Sequence, residues 1–473
     1  MPRPWIPLAL GLTLGWSMAA QEPTSFPAAS TADPYLWLED VTGAKALEWV
    51  KARNAESAQE LQTPEFQQLK AELLKIFDSK ARIPGVSKHG AFYYNFWQDA
   101  KNPKGLWRRT TLEEYRKAEP KWDVILDLDA LNRAEKENWV WHGAEILKEG
   151  GYRHVLITLS RGGADASVTR EFDLETRNFV KGGFEIPEAK GSMSWIDKDH
   201  VFVSTDFGPG SLTTSGYPRL VKLWKRGTAL AQAKPVYEGQ STDMSIGAYH
   251  DDTKGFERDF LTRSLAFYKS ETFLIGKGGQ LRKLDVPIDA NPAPYREWMT
   301  VSLRTPWTVG GKTYPGGSLL VTKFDEFMAG KRDFTVLFEP TANTSLAGYT
   351  WTRHHMVLNV LEDVRNRLTV LTPGKGAWKR EPFLGAPALS TVSVWGVDPE
   401  ESDDTFMSVT DFLTPPSLYY GRLGQKPEKL KEMPAFFDAS GLDVILICFQ
   451  RNRSDPPEPG KPLRGYRVLF EAP

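Results

Sequence analysis

At 473 residues the chain is too long for one ordinary core and implies several domains or one large repeat architecture. Hydrophobic residues at 41%, charged residues at 25% and 16 tryptophans argue against disorder and favour strand-rich, aromatic packing. A formal net charge of -1 with no basic stripe argues against a nucleic-acid partner, and one cysteine, Cys448, excludes an intrachain disulfide or a cysteine metal site.

Residues 1–20 read as a signal peptide. Arg3 supplies the positive start, Leu8 to Trp16 the apolar run, and Ala19 and Ala20 the small residues of a cleavage site. The run is too short to span a bilayer, and no later stretch approaches the roughly 20 apolar residues that a stable membrane span needs. Export to the periplasm or the medium is the expectation; a membrane anchor or a misassigned start is the alternative. Residues 21–32 form a Pro/Ser/Thr/Ala linker.

Residues 33–80 read as helical. Leu47, Val50, Leu61, Phe66, Leu69, Leu73 and Phe77 recur at helical spacing. Asp40 or Thr42 is the expected cap of the first helix, and Pro64 the start of the second.

Beyond Arg82 the pattern changes to short strands such as His154 to Leu159, Val201 to Thr205, Leu319 to Thr322, Thr335 to Phe338 and Leu368 to Leu371. Turn signals recur near Glu175–Arg177, Lys225–Gly227, Gly276–Gly279, Ala329–Lys331, Pro373–Gly376 and Gly424–Gln425, with a weaker one at Glu113–Arg116. Their spacing of roughly 50 residues is that of a four-stranded propeller blade. A single blade cannot bury both faces of its sheet, and radial stacking solves that. The predicted fold is mainly β: a seven-bladed β-propeller over 81–436, preceded by short N-terminal helices, with a linker and atypical tail at 437–473. A pair of β-sandwiches is the alternative.

Several motifs then carry a resemblance. Asp33–Asp40 (DPYLWLED), Trp49-Val50 with Asn54, Tyr93–Asp99, Gly105–Arg108, Thr205–Ser211 running on to Ser215–Arg219, and Phe437–Leu442 resemble bacterial members of the prolyl oligopeptidase family. The likeness covers about Asp33 to Val444. It implies a seven-bladed propeller that caps an α/β-hydrolase catalytic domain and limits access to its serine, so that short peptides are cleaved and folded proteins excluded. It also implies that the N-terminal helices pack against the hydrolase.

A serine hydrolase of that kind needs a nucleophile in G-x-S-x-G, followed by Asp and His. No serine in the sequence satisfies the pattern. Gly316-Gly317-Ser318-Leu319-Leu320 fails at its last position, and Ser211 after Gly208-Pro209-Gly210 reads as a strand-end turn. The seven histidines, His89, His142, His154, His200, His250, His354 and His355, all fall in the propeller region and are expected to be surface or packed residues. In a strand, His354 and His355 would point to opposite faces. His250–Asp252 and the acidic run Glu400–Asp404 lack regular ligand spacing and are expected to be solvated. Arg108, Arg109 and Arg219 are conceivable carboxylate contacts, with structural salt bridges the expected role. The reading assigns no catalytic, cofactor-binding or metal residue and no cofactor.

From Ile445 the sequence departs from the family pattern, and Ser454–Pro462 is rich in proline and charge. A frameshift or premature stop near residue 444 is the expectation; a genuine short extension is the alternative. The functional expectation is therefore the substrate-gating propeller of an exported prolyl-oligopeptidase-like serine peptidase, silent alone. Its expected partners are short peptides and a separate or missing hydrolase domain. A peptide- or protein-binding propeller, or an enzyme of another class with its site in the channel, are the competing readings.

Overall fold

The computed structural model describes residues 33–374, 376–435, 438–450 and 464–471, with 443–450 and 464–471 as backbone strands. The predicted signal peptide and the linker at 21–32 lie outside the described residues. Two compact units emerge, the first ending at Phe77 and the second beginning at Asp78.

The first unit holds α1 (Ala44–Leu61) and α2 (Pro64–Phe77). Pro64 opens α2, where its missing N–H costs nothing, and the Thr63 hydroxyl accepts from the Phe66 N–H at 3.3 Å. The expected caps of α1 do not form. Gly43 is its N-cap, with no side-chain hydrogen bond, and Asp40 accepts the Gly43 N–H through its backbone carbonyl. Leu47, Val50, Leu61, Phe66, Leu69, Leu73 and Phe77 are all exposed.

The second unit is the predicted propeller. Seven four-stranded antiparallel sheets follow one another along the chain, each built from successive strands. Their first strands are Ser87–His89, Trp139–Ile146, Ser192–Asp197, Ser245–Asp251, Asn291–Tyr295, Thr344–Trp351 and Thr391–Gly396, which open blades 1 to 7. Blade 2 carries a fifth strand, Glu185–Ala189. Blade 5 has a small hairpin, Trp307–Val309 with Lys312–Tyr314, inserted between its second and third strands. The seven turn signals all prove to join the third strand of a blade to its fourth. Gly227, Gly279 and Gly424 sit there at φ of 73°, 78° and 83°, a region that disfavours a Cβ. Short helices at Leu112–Arg116, Leu128–Glu135 and Phe324–Met328 are too brief to leave a periodic signal. In the tail, Asp443–Gln450 pairs antiparallel with Arg464–Glu471.

Apolar side chains fill the spaces between blades. Blades 1 and 2 share Trp107, Trp139, Ile157 and Phe172, with Phe96 stacked on Trp141 at 5.0 Å. Similar buried clusters join each later pair: Trp195 and Phe184, Phe202 and Ile246, Phe260 and Met299, Val321 and Met356, Val357 and Val392. Blades 7 and 1 meet through Phe406, Leu418, Tyr93 and Tyr115, and through the Arg116–Glu428 ion pair at 2.9 Å. Each described blade consists of strands from one continuous stretch, so this seam is held by side chains, with no strand shared between first and last blade.

Candidate functional site

First strands of successive blades approach one another, as Ser192–Asp197 does Ser245–Asp251 and Thr344–Trp351 does Thr391–Gly396. They are therefore the inner strands, lining the channel. Four antiparallel strands return the chain to the face where the blade began. The approach to blade 1 and the departure from blade 7 thus share one face, and the turns between first and second strands form the opposite mouth.

A loop of blade 7, residues 397–403, spans that far mouth. Asp398 accepts from Lys88 of blade 1 at 2.7 Å, and Glu401 pairs with the same ammonium. Lys148 of blade 2 pairs with Glu400 and, at 2.7 Å, with Asp252 of blade 4. Blades 2 and 4 are not neighbours, so this ion triad bridges over blade 3. Tyr295 of blade 5 donates its hydroxyl to the Pro399 carbonyl at 2.8 Å. Arg353 of blade 6 donates to the Glu401 carbonyl at 3.1 Å. The belt continues outward, for Arg296 donates to the Arg353 carbonyl and Arg258 to the Arg296 carbonyl.

The electrostatics follow from this packing. Burial alone would lower the ammonium groups of Lys88 and Lys148, but their carboxylate partners outweigh it and hold both above the ordinary lysine value. Burial would raise Asp403. Hydrogen bonds from the His354 ring and backbone and from Thr352 reverse that and hold its carboxyl low. His89, buried among these groups, is pushed below the usual imidazole value.

Two expectations are corrected here. Neither the acidic run at 400–404 nor His250–Asp252 is free and solvated; the run's carboxylates are tied to Lys148, Lys88, His354 and Arg422, and His250, Asp251 and Asp252 to Asp259, Arg258 and Lys148. His354 and His355 lie in the turn between the first two strands of blade 6, not in a strand. His354 Nδ1 meets Asp403 at 2.8 Å and His355 Nδ1 meets Thr372 at 2.8 Å.

The remaining candidates separate on partners. Ser211 donates to Asp206 at 2.9 Å and to the Gly208 carbonyl at 2.7 Å, pinning its own loop. Ser318 is buried, and its hydroxyl has no hydrogen-bond partner among the described residues. A Ser–His contact that sequence spacing did not show does exist, Ser160 Oγ to His142 Nε2 at 2.8 Å. Ser160 is 0% exposed, so its hydroxyl cannot reach a substrate carbonyl. His154, His200 and His250 each face a carboxylate, Glu171, Asp197 and Asp259. No group of three or more His, Cys, Asp or Glu suited to a metal ion occurs among the described residues. Arg109 pairs with Asp123 at 3.1 Å and Arg219 with Glu238 at 2.8 Å, the structural role expected of them. Arg108 makes no ion pair among the described residues.

Fold and mouth together define a seven-bladed propeller, closed by side chains, that encloses a channel with one polar, bridged end. Residues 18–256 match the prolyl oligopeptidase, N-terminal beta-propeller domain. The chain belongs to the prolyl oligopeptidase family, through that propeller. An uncharacterized peptidase of Sinorhizobium fredii is 35% identical over 426 residues, covering 87% of this chain and 58% of the relative. One of Rickettsia prowazekii is 28% identical, covering 81% and 55%. A post-proline cleaving enzyme from Rickettsia typhi superposes with a TM-score of 0.80 at 26% identity, over 88% of this chain and 62% of that one. The chain thus spans less than two thirds of these relatives' lengths.

Proposed function

We propose that this chain is the substrate-admitting propeller of a prolyl-oligopeptidase-type serine peptidase acting on short peptides, and that it has no hydrolase activity alone. The observation that carries the reading is the belt around residues 397–403. It bridges the far mouth with ion pairs from blades 1, 2 and 4, while the chain approaches blade 1 and leaves blade 7 at the opposite mouth. A hydrolase domain seated there would receive only substrates that pass the ring's rim. The absence of any G-x-S-x-G in the sequence supports the silence of this chain alone.

A fluorophosphonate probe and a fluorogenic proline-containing peptide test this. The 473-residue chain should remain unlabelled and inert. Labelling of this chain itself would overturn the reading. Export, proposed from Arg3 and the apolar run to Trp16, is checked by fractionation and N-terminal sequencing of the mature protein, with a start near Gln21 expected.

A further inference from the structure

A second site lies at the seam of blades 1 and 7, away from the channel mouth. Arg108 stands on the third strand of blade 1, between two indoles. Its guanidinium carbon is 4.6 Å from the Trp97 ring centroid and 4.1 Å from that of Trp122. Nε donates to Asn95 Oδ1 at 2.9 Å, and the terminal nitrogens have no partner among the described residues. They are not among the sealed, unsatisfied atoms either, and Arg108 lines a cavity of about 610 Å³.

The same cavity receives Lys431 from the last strand of blade 7 and Arg82 from the approach to blade 1. Lys431 donates to the Lys117 carbonyl and has no carboxylate partner among the described residues. Arg82 also lies over the Trp97 ring, at 4.7 Å, and among the described residues donates to the carbonyls of Ser79 and Gln98. The nearby acids form no ion pair with this group among the described residues. Asp99 is already committed to the Trp97 indole and to the N–H groups of Lys101 and Asn102. Glu432 pairs with Lys429 at 2.7 Å, and Glu119 is exposed.

Burial pushes Arg108 down to about 10 and lowers Lys431 as well. Both cations therefore carry a desolvation cost; the charge of Asp99 offsets only part of it at Arg108, and Lys431 has no carboxylate partner among the described residues. A planar guanidinium fixed by stacking presents its two outer N–H groups as a fork, which matches a carboxylate in bidentate fashion.

We propose that this seam cavity is a carboxylate-binding site, taking the free C-terminal carboxylate of a peptide on Arg108 with Lys431 at its rim. The site does not depend on the peptidase reading. The test titrates the 473-residue chain by calorimetry with acetyl-trialanine as the free acid, with its C-terminal amide, and with inorganic phosphate. The free acid should bind at least about tenfold more tightly than the amide. Arg108→Lys, which keeps charge but loses the fork, and Lys431→Gln should each weaken the acid about tenfold or more. Should Arg108→Lys unfold, Lys431→Gln decides. Equal binding of acid and amide, an unchanged affinity in Lys431→Gln, or tighter binding of phosphate than of the acid would overturn the proposal.

Discussion

The ring of blades and the N-terminal helix pair use the same kinds of residue to opposite effect. Leu159 and Leu358 lie between sheets at 1% and 2% exposure, whereas Leu69 and Leu73 on α2 are 55% and 44% exposed. Radial stacking gives every blade a neighbour on both sides, and the last blade finds the first. The helices have an apolar repeat of equal clarity but no such internal solution. A repeat architecture therefore supplies its own burial, while an amphipathic pair depends on what is brought to it.

The largest test of that contrast is a pair of truncations. Phe260, fully buried between blades 4 and 5 against Phe324, should cost about 3–5 kcal/mol as Phe260→Ala. Leu69→Ala should change stability by no more than about 0.5 kcal/mol. Urea unfolding of both variants measures this, and similar losses would erase the contrast.

Acid should also act on the ring. Asp173, Asp243, Asp403 and Asp411 are held below their ordinary value of 3.8 by arginine, histidine, hydroxyl or N–H partners that outweigh burial. Their contribution is present above the unfolded value and lost as pH falls through the lower folded values. The propeller's melting temperature should therefore drop below about pH 4. Lys88 and Lys148 have the opposite sign. Raised in the folded state, they stabilise below their ordinary value of 10.5 and lose that contribution only at higher pH. A melting temperature that stays level to pH 2, or falls between pH 7 and 9, would contradict these assignments.

A smaller effect is expected at the seam. The Tyr115 hydroxyl donates to the Pro84 carbonyl at 2.6 Å, and its ring meets Phe406 and Trp122. Tyr115→Phe keeps the ring and should cost about 1 kcal/mol, seen as a shift in the unfolding midpoint. No shift would show that the hydroxyl does not help hold blade 1 in register with what precedes it.

Much of the ring was legible because its turns are chemically loud. Gly or charged clusters mark the third-to-fourth-strand turn in blades 2 to 7, more weakly in blade 1, so a period near 50 residues appears without any structure. The first-to-second turns are quieter. Thr352-Arg353-His354-His355 holds no Gly, Pro, Asn or Asp to mark its turn, and 397–403 looks like any acidic loop. Its partners, Lys88, Lys148 and Tyr295, sit on three other blades, and pairing across a closed ring leaves no spacing in sequence. Arg108 shows the same limit from the other side. Beside Arg109 it looks like one more structural arginine, and only the lack of an ion pair among the described residues separates them.

The belt at the far mouth bears most directly on the whole account, and hydrogen exchange reads it. The backbone amides of Glu401 and Ser402 bond to the Asp398 carbonyl, and that of Arg353 bonds to the Ser402 carbonyl. If residues 397–403 are fixed by ion pairs, these amides exchange far more slowly than an open loop. The double variant Lys88→Met, Lys148→Met should then lose that protection, while the blade strands keep theirs. Exchange at open-loop rates in the unaltered chain, or protection untouched in the double variant, would contradict a mouth closed in this way.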